Sequence, residues 1–287
     1  MFRPRKTEER GMRRINYWAI VGLAGVLVLA SVAAAQTQDD ETTHVPKTKT
    51  LFEKLMAENK PSAPAPKRDL NGAWTGPVGF VGHFAPYTPL GAERAKLNKP
   101  EPVYHLANTN DPLMTCDPLG FPRNIINETR GMRFAQLPDR MIILYQYQRA
   151  WREVWTDGRA LPKSIDTKDG APSRWYGYSV GHWDGDYSFV IDTVGMDDRS
   201  WLDPSGHPHS VDMHVQERYT RADHDTLHMT VTIDDPKIYT APFEELTNET
   251  FKWIPNQELD EQLCVPSEAI AYMSIIGRPG GAVQPAK

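Results

Sequence analysis

The segment DDRSWLDPSGHPHSVDMH, Asp197 to His214, holds the densest run of carboxylates, imidazoles and hydroxyls in the chain. In extended backbone, side chains two residues apart share a side, so His207 and His209 point the same way, as in many metal sites on strands. His214, Asp203 or Glu217 could complete a three-ligand set with one position open to water. The spacing matches no zinc signature, however, HExxH is absent, and Pro208 between the two histidines suits a rigid loop. Ordinary loop hydrogen bonds are therefore the first expectation for these histidines. No cofactor is expected, and a divalent metal on His207, His209 and His214 is the lesser alternative.

Glu217 is the second chemical feature. In the run from Met213 to Arg221, the residues Met213, Val215, Glu217 and Tyr219 fall on one side of a strand, and His214, Gln216, Arg218 and Thr220 on the other. The apolar set faces inward, which places a carboxylate among apolar neighbours. Bare burial of a charge is costly, so Glu217 needs a partner, and Arg149 or Arg152 can supply it. A purely structural ion pair is the plainer reading. In the other, the same groups line a ligand cavity where a raised pKa suits Glu217 to acid/base work. Glu217 or His209 would then be the acid/base and Arg152 or Arg199 would steady developing negative charge. Arg149, Trp151, Trp201, Asp203, His207 and His214 would bind the ligand at the mouth.

Other catalytic signatures are missing: there is no G-x-S-x-G elbow, no P-loop and no dinucleotide-binding glycine pattern after a strand. Ser210 beside His209 is only a sequence neighbour and says little about a nucleophile and base in space. Trp74, Trp151, Trp155, Trp175, Trp183 and Trp201 could stack on sugars or aromatic ligands, although such residues more often anchor a core.

These residues need elements to hold them, and the period-two patterning that begins at Met132 provides strands. Met132 to Leu137 and Met141 to Gln148 are joined by Pro138-Asp139-Arg140, and Trp151 to Trp155 continues the strand character. Read as one alternation, Met141, Ile143, Tyr145, Tyr147, Arg149, Trp151, Glu153 and Trp155 form an aromatic face. Tyr178 to Trp183 and Tyr187 to Val194 flank Asp184-Gly185, a tight-turn pair. Met213 to Arg221 and Thr226 to Ile233 flank a four-residue polar turn, Glu249 to Ile254 is a last strand, and Ala73 to Thr75 opens the set. About eight strands joined mainly by short turns predict an all-β, antiparallel up-and-down barrel, since closure removes exposed edges. Short helices are predicted after Thr50, whose Thr50-Leu51-Phe52-Glu53 is a capping-box pattern, from Pro89 to Asn98, and from Ser267 to Ile276.

The chain has 287 residues, a net charge of −5 and two cysteines. A basic start, an uncharged run from Tyr17 to Ala30 and Ala33-Ala34-Ala35 read as a signal peptide over residues 1–35, with Met12 as the expected true start. An uncleaved anchor, the only route to a membrane on this reading, is the rival. Removing six basic and two acidic leader residues from 32 and 37 leaves 26 and 35, a net of −9, so nucleic acid is not an expected partner. Export to the periplasm or beyond makes a disulfide between Cys116 and Cys264 the plain inference. Residues 36–69, polar and punctuated by Pro61, Pro64 and Pro66, read as a flexible arm with one short helix, leaving 70–287 as a single barrel domain.

Two resemblances carry further expectations. Asp69-Leu70-Asn71-Gly72-Ala73-Trp74 resembles the G-x-W of lipocalins and other calycins, which implies a tryptophan on the first strand at the closed end of a small barrel. The segments TCDPLGFPRN, WREVWTDGR, WYGYSVGHWDGD, DTVGMDDRSWLDPSGHPHS and TIDDPKIYT are similar to a group of exported bacterial proteins, which implies a shared domain and no particular reaction. The combined expectation is an exported calycin-like barrel holding a small, partly apolar molecule. A hydrolase, lyase or isomerase on that scaffold, and a structural envelope protein, are the alternatives.

Overall fold

A computed structural model describes residues 49–58, 60–77, 83–100, 109–126 and 131–275. The leader, Met12 and the arm before Lys49 lie outside these residues. The chain divides into two compact units, Met1–Lys49 and Thr50–Lys287, and the elements described belong to the second.

Nine strands close a barrel in sequence order: β1 (Gly72–Thr75), β2 (Met132–Gln136), β3 (Arg140–Tyr145), β4 (Trp151–Trp155), β5 (Tyr178–Asp184), β6 (Ser188–Val194), β7 (His214–Arg221), β8 (Thr226–Asp234) and β9 (Phe243–Trp253). Short helices decorate it: α1 (Leu51–Glu58), α2 (Pro89–Leu97), α3 (Arg123–Ile126) and α4 (Pro266–Ile275). The α1 capping box forms reciprocally. The Thr50 N–H donates to Glu53 Oε2 at 2.7 Å and the Glu53 N–H to Thr50 Oγ1 at 3.2 Å. Thr88 caps α2 by accepting from the Gly91 N–H. A disulfide joins Cys116 to Cys264. Among the described residues no helix is long and apolar enough to cross a membrane.

The barrel departs from a pure antiparallel meander at one seam. β4 and β5 run parallel, paired only through Val154 with Ser179 and Trp155 with Val180. Parallel neighbours cannot be joined by a hairpin, so residues 156–177 carry the chain back to the end where β4 began. A second departure concerns phase. Met141 to Trp155 is not one alternation, because Gln148 (φ 54°) and Arg149 (φ 47°) turn the chain between β3 and β4. Met141, Ile143 and Tyr145 point inward as expected, but in β4 the buried residues are Arg152 and Val154. Trp151, Glu153 and Trp155, expected in line with the β3 interior set, instead lie on the outer face.

Inward side chains fill the barrel. Met132, Phe134, Met141, Ile143, Val154, Phe189, Ile191, Val215, Leu227, Met229, Val231 and Phe251 are buried around the axis. At the end where β1 begins, Trp74 is fully buried and its indole N–H donates to the Leu70 carbonyl at 3.1 Å. The Arg221 guanidinium lies 5.0 Å from the Trp74 ring centroid and donates to the Asp69 and His224 carbonyls at 2.6 and 2.7 Å. Residues of the 60–69 segment are pinned across the nearby hairpins. The His224 N–H donates to the Ala63 carbonyl, the Asp225 N–H to Ser62 Oγ and the Arg68 N–H to the Asp186 carbonyl.

Candidate functional site

Glu217 projects from β7 into the barrel centre with no solvent exposure. Its Oε2 accepts from Arg152 Nη2 at 2.5 Å and its Oε1 from the Tyr219 hydroxyl at 2.7 Å. Arg152 also donates to Thr193 Oγ1 at 3.5 Å, and Thr193 shares a 2.9 Å hydroxyl contact with Ser179. Of the two arginines proposed to answer Glu217, the fold therefore uses Arg152. The Arg152 guanidinium stacks 3.9 Å from the Phe121 ring centroid. Burial pushes the Tyr145 and Tyr219 hydroxyls well above the ordinary tyrosine range, and the nearby Glu217 charge pushes the same way, so both stay protonated. Both charges of this cluster are answered in an apolar interior, while the Arg152 Nε–H is left without a hydrogen-bond partner.

Arg149 does not join it. That residue occupies the β3–β4 turn and lines a separate outer cavity of about 570 Å³ with Arg133, Tyr145 and Glu258.

The histidines of the 197–214 segment go to three different partners. His209 is fully buried; its Nδ1–H donates to the Ser210 carbonyl at 3.1 Å, which leaves Nε2 as the acceptor facing the Ser200 hydroxyl at 2.9 Å. Burial lowers its pKa, so it is neutral. Ser210 turns the other way and donates its N–H and hydroxyl to the two Asp235 oxygens at 2.6 and 2.8 Å. His207 donates from Nδ1 to Asp203 Oδ2 at 2.8 Å and from its backbone N–H to Oδ1 at 3.1 Å, and it stacks on Phe84 with centroids 3.6 Å apart. His214 donates from Nε2 to Asp192 Oδ1 at 2.9 Å, a bond that heads the causes lowering the Asp192 pKa. Among the described residues no group of three or more His, Cys, Asp or Glu is placed to hold a metal ion.

Trp201 is buried with the Arg123 guanidinium 5.9 Å from its ring centroid, and Arg123 pairs bidentately with Asp111 at 2.8 and 2.7 Å. Arg199 is solvent-exposed and forks onto Asp197 at 2.9 and 2.6 Å. It lies 4.6 Å from the Trp175 ring centroid.

A binding-sized space opens at the parallel seam. Where the two-pair ladder ends, β4 and the chain entering β5 leave between them a cleft of about 600 Å³. Trp151, Trp155, Trp175, Tyr176 and Tyr178 supply its aromatic lining, and residues 159–162 and 174–177 wall it. Its volume suits a small ligand. Arg152 and Ser179 also line it, so the cleft backs directly onto the buried Glu217 cluster. Trp155 carries the Arg140 and Arg159 guanidiniums at 3.8 and 3.4 Å from its ring centroid, and Tyr178 carries that of Arg174 at 4.1 Å. Trp151, by contrast, is 57% exposed. Burial raises the Tyr176 hydroxyl to about 12, so it remains a donor at neutral pH.

Of the residues singled out in the sequence, this cleft unites Trp151, Arg152, Trp155 and Trp175. Arg159, Arg174, Tyr176 and Tyr178 escaped sequence reasoning. The signal available was the recurrence of Arg, Trp and Tyr on both sides of a stretch without hairpin chemistry, in WREVWTDGR and SRWYGY. The chain matches no protein-family model and no curated protein.

Proposed function

We propose that this protein is exported and binds a small, partly apolar molecule, and that the molecule occupies the β4–β5 cleft and not the barrel axis. The carrying observation is the cleft itself, about 600 Å³ lined by three tryptophans and two tyrosines at the parallel seam, where the wall holds through only two residue pairs. The packed interior supports the same choice, because its inward side chains are buried and its central charges are answered by protein groups. The disulfide supports an oxidising compartment. Trp74, buried on the first strand beneath Arg221, supports the calycin-like reading of the barrel.

Native mass spectrometry of protein purified from its own host tests this. A small molecule should accompany the wild-type chain and be lost or depleted in Trp151→Ala, whose side chain is too exposed to matter greatly for stability. Wild-type protein arriving at its bare mass, with the variant identical, would reject the reading.

A further inference from the structure

We infer that the ligand of this cleft is a planar aromatic acid, its ring against Trp151 and Tyr176 and its carboxylate toward Arg152 and Arg174; the inference rests on the cleft being the ligand site. Two polar observations lead to it. Arg152 is 3% exposed and lines the cleft, yet its Nε–H has no hydrogen-bond partner, while its Nη groups are committed to Glu217 and Thr193. A buried guanidinium donor left unmet is unfavourable, and an acceptor entering the cleft would meet it. The second observation is charge. Arg140 is answered by Asp139 and Glu153, Arg152 by Glu217 and Arg159 by Asp157. Arg174 lines the cleft stacked on Tyr178, and among the described residues it has no carboxylate partner. One cation at the cleft is therefore left for a ligand.

The shape of the acid follows from the surfaces that remain. Trp155 already carries two guanidiniums, and the Tyr178 and Trp175 rings carry one each. Trp151, exposed, and Tyr176, half-buried, carry no guanidinium, and they offer a flat group the apolar contact that aromatic pairs favour. A carboxylate matches a planar guanidinium in geometry as well as charge.

Isothermal titration with 2-naphthoate and its neutral isostere 2-naphthamide separates the acid from the site that would hold it. The wild-type protein should bind naphthoate about tenfold or more tightly than naphthamide, a difference of about 1.4 kcal/mol. Arg174→Gln, at an exposed position, should weaken naphthoate about tenfold and so remove most of the difference between the probes, and Trp151→Ala should weaken both. Circular dichroism matching wild type confirms that each variant is folded. Equal affinity for the two probes, with both weakened in Trp151→Ala, overturns the acid and leaves the cleft standing. Absence of binding by either probe, or binding indifferent to Trp151→Ala, overturns both.

Discussion

At the scale of single residues, the acids with the most unusual surroundings are Glu217 and Glu245, and they solve burial differently. Glu217 is held by two partners, the Arg152 guanidinium and the Tyr219 hydroxyl. Replacing one partner strands the other, so Glu217→Gln should lower the unfolding free energy by about 3–5 kcal/mol in chemical denaturation. The double change Glu217→Leu with Arg152→Met should recover most of that loss, since a buried pair can give way to apolar packing. A Glu217→Gln protein as stable as wild type would show that the pair does not hold the barrel centre. Glu245, on β9 near Asp203, has one carboxylate oxygen without a hydrogen-bond partner. Burial first, and the Asp203 charge second, push its pKa up to about 8 from an ordinary 4.5. The folded state then holds a proton that the unfolded state releases between those values, so its contribution to stability is complete below about 4.5 and lost as pH rises through about 8. Melting temperature should therefore fall between pH 5 and 9 more steeply in the wild type than in Glu245→Gln, by several kcal/mol when converted to stability. Asp203, Tyr87, Tyr239 and His207 face this corner in both proteins, so the difference between the curves reports Glu245 together with its charge coupling to Asp203 and Tyr239. Parallel pH curves would show that Glu245 is ionised throughout.

Between residues and the whole lie the elements, where legibility follows turn chemistry. Asp184-Gly185 marks the β5–β6 hairpin, and Gly185 has φ 77°. The polar turn after Arg221 places β7 and β8 within a residue of their bounds, and the inward set Val215, Glu217, Tyr219 comes with them. The β3–β4 turn is invisible in the sequence for a physical reason. It is made by Gln148 and Arg149 at positive φ, without glycine, proline, asparagine or aspartate, so Tyr-Gln-Tyr-Gln-Arg reads as uninterrupted strand. That one missed turn reverses the faces of β4 and hides the outward Trp151, Glu153 and Trp155. The β9 strand begins at Phe243, six residues before its expected start, because Asn248 at φ 56° and register shifts opposite Val231 break the alternation. The parallel seam is not legible at all. Pairing partners are chosen across the barrel, and nothing local in residues 156–177 announces a crossover. The candidate site suffers most, since the cleft is a product of that seam, whereas Arg152 is legible as a group that answers Glu217.

At the scale of the molecule, the barrel is a continuous ring whose strands pair mostly with sequence neighbours, and its ends are tied by segments from far along the chain. The bond between Cys116 and Cys264 spans 148 residues and fixes the segment before α3 to the segment entering α4. A cross-link over so long a loop restricts the unfolded chain far more than the folded one. The chain-entropy treatment puts its contribution at about 5 kcal/mol, which engineered and native bridges often fall short of. Replacing both cysteines with alanine, to avoid a stray thiol, should therefore reduce the unfolding free energy by about 2–5 kcal/mol. The denaturant slope should rise as well, because an unbridged unfolded chain exposes more surface. The cleft lies on the β4–β5 seam and the Cys116–Cys264 bridge is not part of its lining. Affinity for naphthoate in the double variant, measured where it is still folded, should match wild type. A variant with unchanged denaturation midpoint and slope would mean that contacts other than the bridge already set the order of these segments. A variant that stays folded yet loses its ligand would mean that the bridge holds the walls of the cleft in place from a distance.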